Sequence, residues 1–306
     1  MKDLDGKTAF ITGAASGIGF GIAEALFDVG MNIVLTDIEE EALQKAHATL
    51  SAGSNRVHAI RLDVTDRNAL AAAADETERT FGPVHVVCNN AGVSNRGPLD
   101  QISYDDWDWV LGVNLGGVVN GVQTFLPRLK ANHEKTGDGG HIVNTASIAG
   151  LLATAGNGVY ATSKHAVVGL STALRQELEA VGIGVSVLCP GTVDTQINHS
   201  ARNRQAEYGE GGTDLSDEQL ALLDESMAHG TAPREIGEYV LKAIRDDDFF
   251  ILPHREFVET YRQRTDDILA SFSDKPPTER QIESMRLRAR AFGDFWDLDG
   301  PSTEEI

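Results

Sequence analysis

The tightest constraint on the fold lies at the start of the chain. A short β-rich run, KTAFIT, leads into TGAASGIG and then into FGIAEALFDVG, whose apolar residues keep helical spacing up to Gly30. A strand that turns through glycines into an amphipathic helix sets the unpaired N–H groups of the helix at the strand's end. The unit then recurs: NIVLTD, EEEALQKAHATL, RVHAIRLDV, an Ala-rich helix over 67–81, VHVVCNN, a helix over about 104–130, and GHIVNTAS. A helix over about 158–181, the strand GVSVLCP, a helix over about 233–246 and FFILP complete it. Apolar strands alternating with helices require crossover connections, and these build parallel sheets covered on both faces. The expected fold is α/β, a doubly wound seven-stranded parallel sheet of Rossmann type.

Two late segments break the rhythm. Residues 198–230 are polar, with GEGG at 209–212 and the helical run DEQLALLDESMAHG behind it. A loop after a strand end in such a sheet is placed to cover a site. The second segment, after Pro253, reads as the helix REFVETYRQRTDDILASF, a break at DKPP, the charged helix TERQIESMRLRAR and an acidic end. The expected division is therefore a domain over 1–253, including a loop over 194–232, and a C-terminal helical extension over 254–306.

Composition narrows the partners. With 26 Lys plus Arg against 46 Asp plus Glu, the formal charge of −20 repels phosphate backbones and anionic headgroups. Neither nucleic acid nor a membrane is expected as a partner, and a cytoplasmic location is expected. Cys88 and Cys189 end apolar strands and read as small buried hydrophobes. His133, His141, His165, His199, His229 and His254 show no ligand spacing, so no metal is expected. Trp107 and Trp109 read as packing at the start of a helix.

Gly13, Gly17 and Gly19 sit where the chain must turn tightly and let a pyrophosphate approach backbone N–H groups. Asp37 ends the second strand, about 20 residues on, where a ribose 2′-hydroxyl acceptor belongs. Its carboxylate repels a 2′-phosphate, and no Lys or Arg lies between Lys7 and Lys45 to receive one. NAD is expected rather than NADP; the competing role for Asp37 is an N-cap of the next helix. Tyr160 and Lys164 are one helical turn apart on one face, an arrangement expected to lower the phenol's pKa.

The spacing TGAASGIG, with Asp63-Val64 after the third strand, NNAG at 89–92, Ser147 closing GHIVNTAS and YATSK at 160–164, resembles the short-chain dehydrogenase/reductase family over residues 5–252. That resemblance implies a cofactor site of Gly13, Ser16, Gly17, Ile18, Gly19, Asp37, Asp63, Val64 and Asn90, together with Tyr160, Lys164, Val193 and Thr195. Asp63 and Val64 would meet the adenine, and Val193 and Thr195 the nicotinamide carboxamide. It implies Tyr160 as general acid or base, Ser147 as donor to the substrate oxygen, Lys164 on the nicotinamide ribose, and Asn114 holding a water that links Lys164 to solvent. A homodimer or homotetramer is implied through the helices over 104–130 and 158–181, which carry Val118, Val119, Val122, Phe125, Val167, Leu170 and Leu174.

A narrower resemblance rests on YDDWDWVLGVNLGGVVNG, AEYGEGG, HGTAP and ILPHREFVE. These are similar to the subgroup containing the Cα-dehydrogenases of lignin β-aryl ether breakdown, which implies oxidation of a benzylic secondary alcohol with NAD. The small-molecule substrate is expected to be a bulky aromatic or alicyclic alcohol in a pocket lined by Ile148, Leu151, Leu152 and Met227. Asn157 and His199 would add polar contacts, and Arg96, Arg202 and Arg204 are candidates for a carboxylate. The alternatives are a hydroxysteroid dehydrogenase and, from another class, a non-catalytic NAD-binding sensor or scaffold. The last predicts damage to the Ser, Tyr and Lys set, and all three stand intact.

Overall fold

The computed structural model describes residues 1–209, 211 and 215–292. Seven strands form one parallel sheet: β1 (Thr8–Thr12), β2 (Asn32–Asp37), β3 (Val57–Arg61), β4 (Val84–Asn89), β5 (Gly140–Thr145), β6 (Ile183–Leu188) and β7 (Phe250–Ile251), ordered 3-2-1-4-5-6-7. The order reverses between β1 and β4, and the crevice beyond their carboxyl ends is the fold's ligand site.

Helices α1 (Gly17–Asp28) and α2 (Glu40–Leu50) flank β2, and α3 (Arg67–Phe81) precedes β4. The chain then runs through α4 (Tyr104–Leu111), a π-helical turn at Gly112–Gly116 and α5 (Gly117–Thr136). After β5 come α6 (Gly158–Leu178), α7 (Asp217–Ala228) and α8 (Pro233–Asp246). The expected single helix over 104–130 is thus broken in phase by the π turn, which periodicity does not announce.

The strands alternate their side chains between two cores. Ile11, Ile33 and Leu35 join Ile22 and Leu26 of α1 and Ile236 and Val240 of α8 on one face. Phe10, Val34 and Val87 join Leu70, Val122, Phe125 and Val167 on the other, where the rings of Phe10 and Phe125 lie 4.6 Å apart. Helices α1 and α8 touch backbone to backbone: a Cβ on Gly21 would lie 2.1 Å from the Pro233 carbonyl oxygen, so only glycine permits the crossing.

Of the apolar residues expected to serve both core and interface, Val118, Val122, Phe125, Val167 and Leu174 are consumed by the core. Val119 and Leu170 stay partly exposed. Cys88 and Cys189 are buried free thiols pushed up to about 12 by desolvation, as befits packing residues. Trp109 is buried beside Val110 and Val113, with Trp107 against the same cluster.

The chain groups into two units, Met1–Arg255 and Glu256–Ile306. Within the second, α9 (Val258–Leu269) buries none of its residues, and α10 (Glu279–Phe292) follows. Part of the GEGG stretch and the acidic end lie outside the described residues. Among the described residues no helix is long and apolar enough to cross a membrane.

Candidate active site

The switch point is fastened by Thr12 and Asn90. The Thr12 hydroxyl accepts from the backbone N–H of Asn90 (2.9 Å) and of Ala91 (3.0 Å), while Asn90 Nδ2 donates to the Thr12 carbonyl at 3.0 Å. Gly13 turns the chain at φ +64°, and a Cβ there would stand 2.8 Å from the Ala91 Cα. The glycine turn and the NNAG segment are therefore one packed unit. Thr12 was not singled out from sequence, although its place before Gly13 in the TGxxxGxG spacing is the signal that marks it.

One cleft above this unit is lined by Gly13, Ser16, Gly17, Ile18, Asp37, Asp63, Val64, Asn90, Ser147, Tyr160, Lys164, Val193 and Thr195. Every expected cofactor residue is there except Gly19, which is buried in the first turn of α1, where a Cβ would lie 2.1 Å from the Gly13 carbonyl oxygen. Asp37 is not the N-cap of α2; that position is Glu39. Its Oδ2 instead accepts from Ala15 N (3.0 Å) and its Oδ1 from Glu39 N (3.1 Å), joining the glycine turn to the end of β2. Burial raises the Asp37 pKa, and these backbone N–H groups oppose the shift.

Asp63 and Val64 are fixed as well. Asp63 Oδ1 accepts from the Thr65 hydroxyl at 2.7 Å and Oδ2 from Gln205 Nε2 at 2.7 Å, while the Val64 carbonyl accepts from Asn120 Nδ2 at 2.9 Å. Gln205 arrives from the loop after β6, and with it Arg202 and Asn203, which both reach Glu39. The absence of a cation between Lys7 and Lys45 therefore misses a cation brought to that end of the cleft by Arg202. No local pattern could have shown it.

At the opposite end the side chains come from α6, the π turn and the end of β5. Asn114 is fully buried in the π turn; its Oδ1 accepts from Val93 N (2.8 Å) and its Nδ2 donates to Val93 O and to Ser163 Oγ, each at 3.0 Å. Both of its side-chain N–H groups are taken. Ser147 caps a short 3-10 turn, its Oγ accepting from Ala149 N at 3.1 Å. Lys164 donates to the Thr145 carbonyl at 2.9 Å, with Nζ 5.6 Å from the Tyr160 ring centre.

The electrostatics correct one expectation. Burial pushes the Tyr160 phenol above its ordinary value, opposed by a hydrogen bond with Ser147 and by the charge of Arg96 rather than by Lys164. Lys164 is itself pushed down to about 8 by burial. Desolvation is the largest influence on both groups, and it outweighs what turn spacing alone suggests for the phenol.

The expected substrate wall is only partly assembled. Met227 lines the cleft with Val93, Val113, Ile197 and Ser200. Ile148, Leu151, Leu152, Asn157 and His199 do not: Leu151 packs on the core, Asn157 lies beside Gly97, and His199 bonds Asp224 at 2.8 Å. Arg204 is committed to Asp106, a nearly buried ion pair at 2.5 Å.

The profile of the short chain dehydrogenase family matches residues 7–206. The chain belongs to that family and is one of its oxidoreductases. It is 40% identical, over 96% of its length and 98% of the relative's, to the C alpha-dehydrogenase of Sphingobium sp. strain SYK-6. A short chain dehydrogenase/reductase from Burkholderia phymatum, solved in complex with NAD, is 37% identical with a TM-score of 0.81, covering 91% of this chain and all (100%) of that one. The apo form of LigO from Sphingobium sp. strain SYK-6 is 38% identical, TM-score 0.74, covering 95% and 98% of the two chains.

Proposed function

We propose that this protein is an NAD-dependent dehydrogenase that interconverts a bulky secondary alcohol, of benzylic type, and its ketone. The observation that carries the reading is the single cleft that runs from Asp37 past the glycine turn to Ser147, Tyr160 and Lys164. A dinucleotide fits its chemistry: backbone N–H groups at the start of α1 suit a pyrophosphate, and the Asp37 carboxylate suits a ribose diol. NAD when bound supplies a hydride acceptor at its nicotinamide ring.

The chain's own residues do the rest. Tyr160 takes the alcohol proton in oxidation and returns it in reduction. Ser147 donates to the substrate oxygen as charge builds there. Lys164 holds the nicotinamide ribose, and Val193 and Thr195 its carboxamide. Asn114 fixes Val93 and Ser163, and because its side-chain N–H groups are engaged, a water between Lys164 and solvent would fall to its main-chain carbonyl. The benzylic class rests on the likeness to the C alpha-dehydrogenase over nearly the whole chain. The working form is a cytoplasmic homodimer or homotetramer, formed through the outer faces of α5 and α6 at Val119 and Leu170.

The test is initial rates with NAD⁺ and NADP⁺ over benzylic, alicyclic and steroid secondary alcohols, with Tyr160→Phe as the blank. Turnover of benzylic members with NAD⁺, absent in the variant, is expected. Reaction of steroids alone would overturn the substrate class, and NAD⁺ binding without any turnover would favour a sensor.

A further inference from the structure

Arg202 reaches across the adenosine end of the cleft and grips Glu39 at two points: Nη2 to Oε1 at 2.6 Å and Nε to Oε2 at 3.1 Å. Asn203 Nδ2 adds a third contact to the same Oε1 at 2.8 Å. The guanidinium is also fixed from behind, with Nη1 donating to the His199 carbonyl at 2.8 Å. Glu39 lies two residues past Asp37, and Asp37, Glu39, Arg202 and Asn203 all line this end of the cleft. Arg61, paired beside Asp37 in the sheet, points its Nε at the Ile38 carbonyl (3.3 Å) and does not line the cleft.

A 2′-phosphate needs a guanidinium or ammonium, and the planar fork of arginine suits it best. This loop delivers such a fork, and a carboxylate occupies it. We propose that Glu39 is a second determinant of dinucleotide choice beside Asp37, acting by competing with a 2′-phosphate for Arg202. Asp37 discriminates by direct repulsion, and Glu39 by occupying the cation that would otherwise relieve that repulsion. The inference rests on the dinucleotide reading of the cleft and extends it to residues that no spacing rule connects.

The experiment measures dissociation constants of NAD⁺ and NADP⁺ by titration calorimetry, without alcohol, for the wild type, Asp37→Ser, Asp37→Ser/Glu39→Gln and the latter with Arg202→Ala. Asp37→Ser alone should improve NADP⁺ binding modestly. Adding Glu39→Gln should improve the NADP⁺ to NAD⁺ affinity ratio by a further factor of about two to five, the scale of a part-exposed ion pair. Arg202→Ala should erase that further gain. If the multiple variants melt early, single Glu39→Gln should move the ratio in the same direction, by less because the Asp37 carboxylate remains, and Arg202→Ala should again erase the gain. An unchanged ratio on adding Glu39→Gln, or a gain that survives Arg202→Ala, overturns the proposal. Failure of the wild type to bind NAD⁺ overturns the dinucleotide reading and this inference together.

Discussion

At the Tyr160 end of the cleft, the supporting side chains are sunk in the protein: Asn114, Ser163 and Lys164 are at most 3% exposed and bonded to backbone or to each other. At the Asp37 end, Glu39 and Arg202 meet in an ion pair whose side chains keep 28% and 40% of their exposure, one partner riding on a loop. Burial fixes the first end in a single geometry at high cost if any member is lost. Water-screened charge closes the second, which can open at little cost. Such a division suits a site where chemistry must be rigid and a large ligand must enter and leave.

The largest loss is expected at the phenol. Tyr160→Phe should cut turnover by about a thousandfold or more, the scale of general acid–base catalysis, with no change in the melting curve; a loss under tenfold would remove Tyr160 from the chemistry. Asn114→Ala should cost about 2–3 kcal/mol in denaturant unfolding, because it strands the N–H and C=O of Val93 in a buried site.

The two ends also respond to pH in different ranges. Folded Lys164 loses its proton near 8, so between that value and 10.5 the unfolded chain binds more protons than the folded one. Stability of the ligand-free protein should therefore rise with pH across that window relative to Lys164→Met, by up to about 1.4 kcal/mol per pH unit, as read from paired unfolding curves. At the exposed end the effect is smallest. Arg202→Ala should cost less than about 1 kcal/mol, and less still in high salt. The hydrogen bond and charge of Arg202 lower the Glu39 pKa below 4.5, so this contribution is present above 4.5 and fades as pH falls through the folded value.

The same contrast explains what the sequence could and could not disclose. The helices at Arg67–Phe81 and Pro233–Asp246 end where their apolar period ends, because each lays one face on the sheet. The glycine turn, Asp37, Ser147, Tyr160 and Lys164 were legible because strand ends and helix turns fix side chains at short range. Arg202 was not, since 163 residues separate it from Glu39 and only the folded loop joins them. Leu151 and His199 misled for a related reason: an apolar or polar residue in a loop has no period to say which way it faces, and here one packs on the core and the other on Asp224. The direction of the Tyr160 shift was misjudged because desolvation depends on surroundings that spacing does not encode.

The π turn at Gly112–Gly116 has a consequence for how this rod can change over time. A five-residue hydrogen-bond step amounts to one extra residue in an α-helix and rotates everything beyond it by about 100°. Before the turn, Trp109 and Val110 face one cluster; beyond it, Val118, Val122 and Phe125 face another. The extra residue is the gear offset between them. Deleting any one residue there would straighten the ladder and swing Phe125 out of mesh with Phe10, so a single-residue deletion should be tolerated less well than most point substitutions in the same segment.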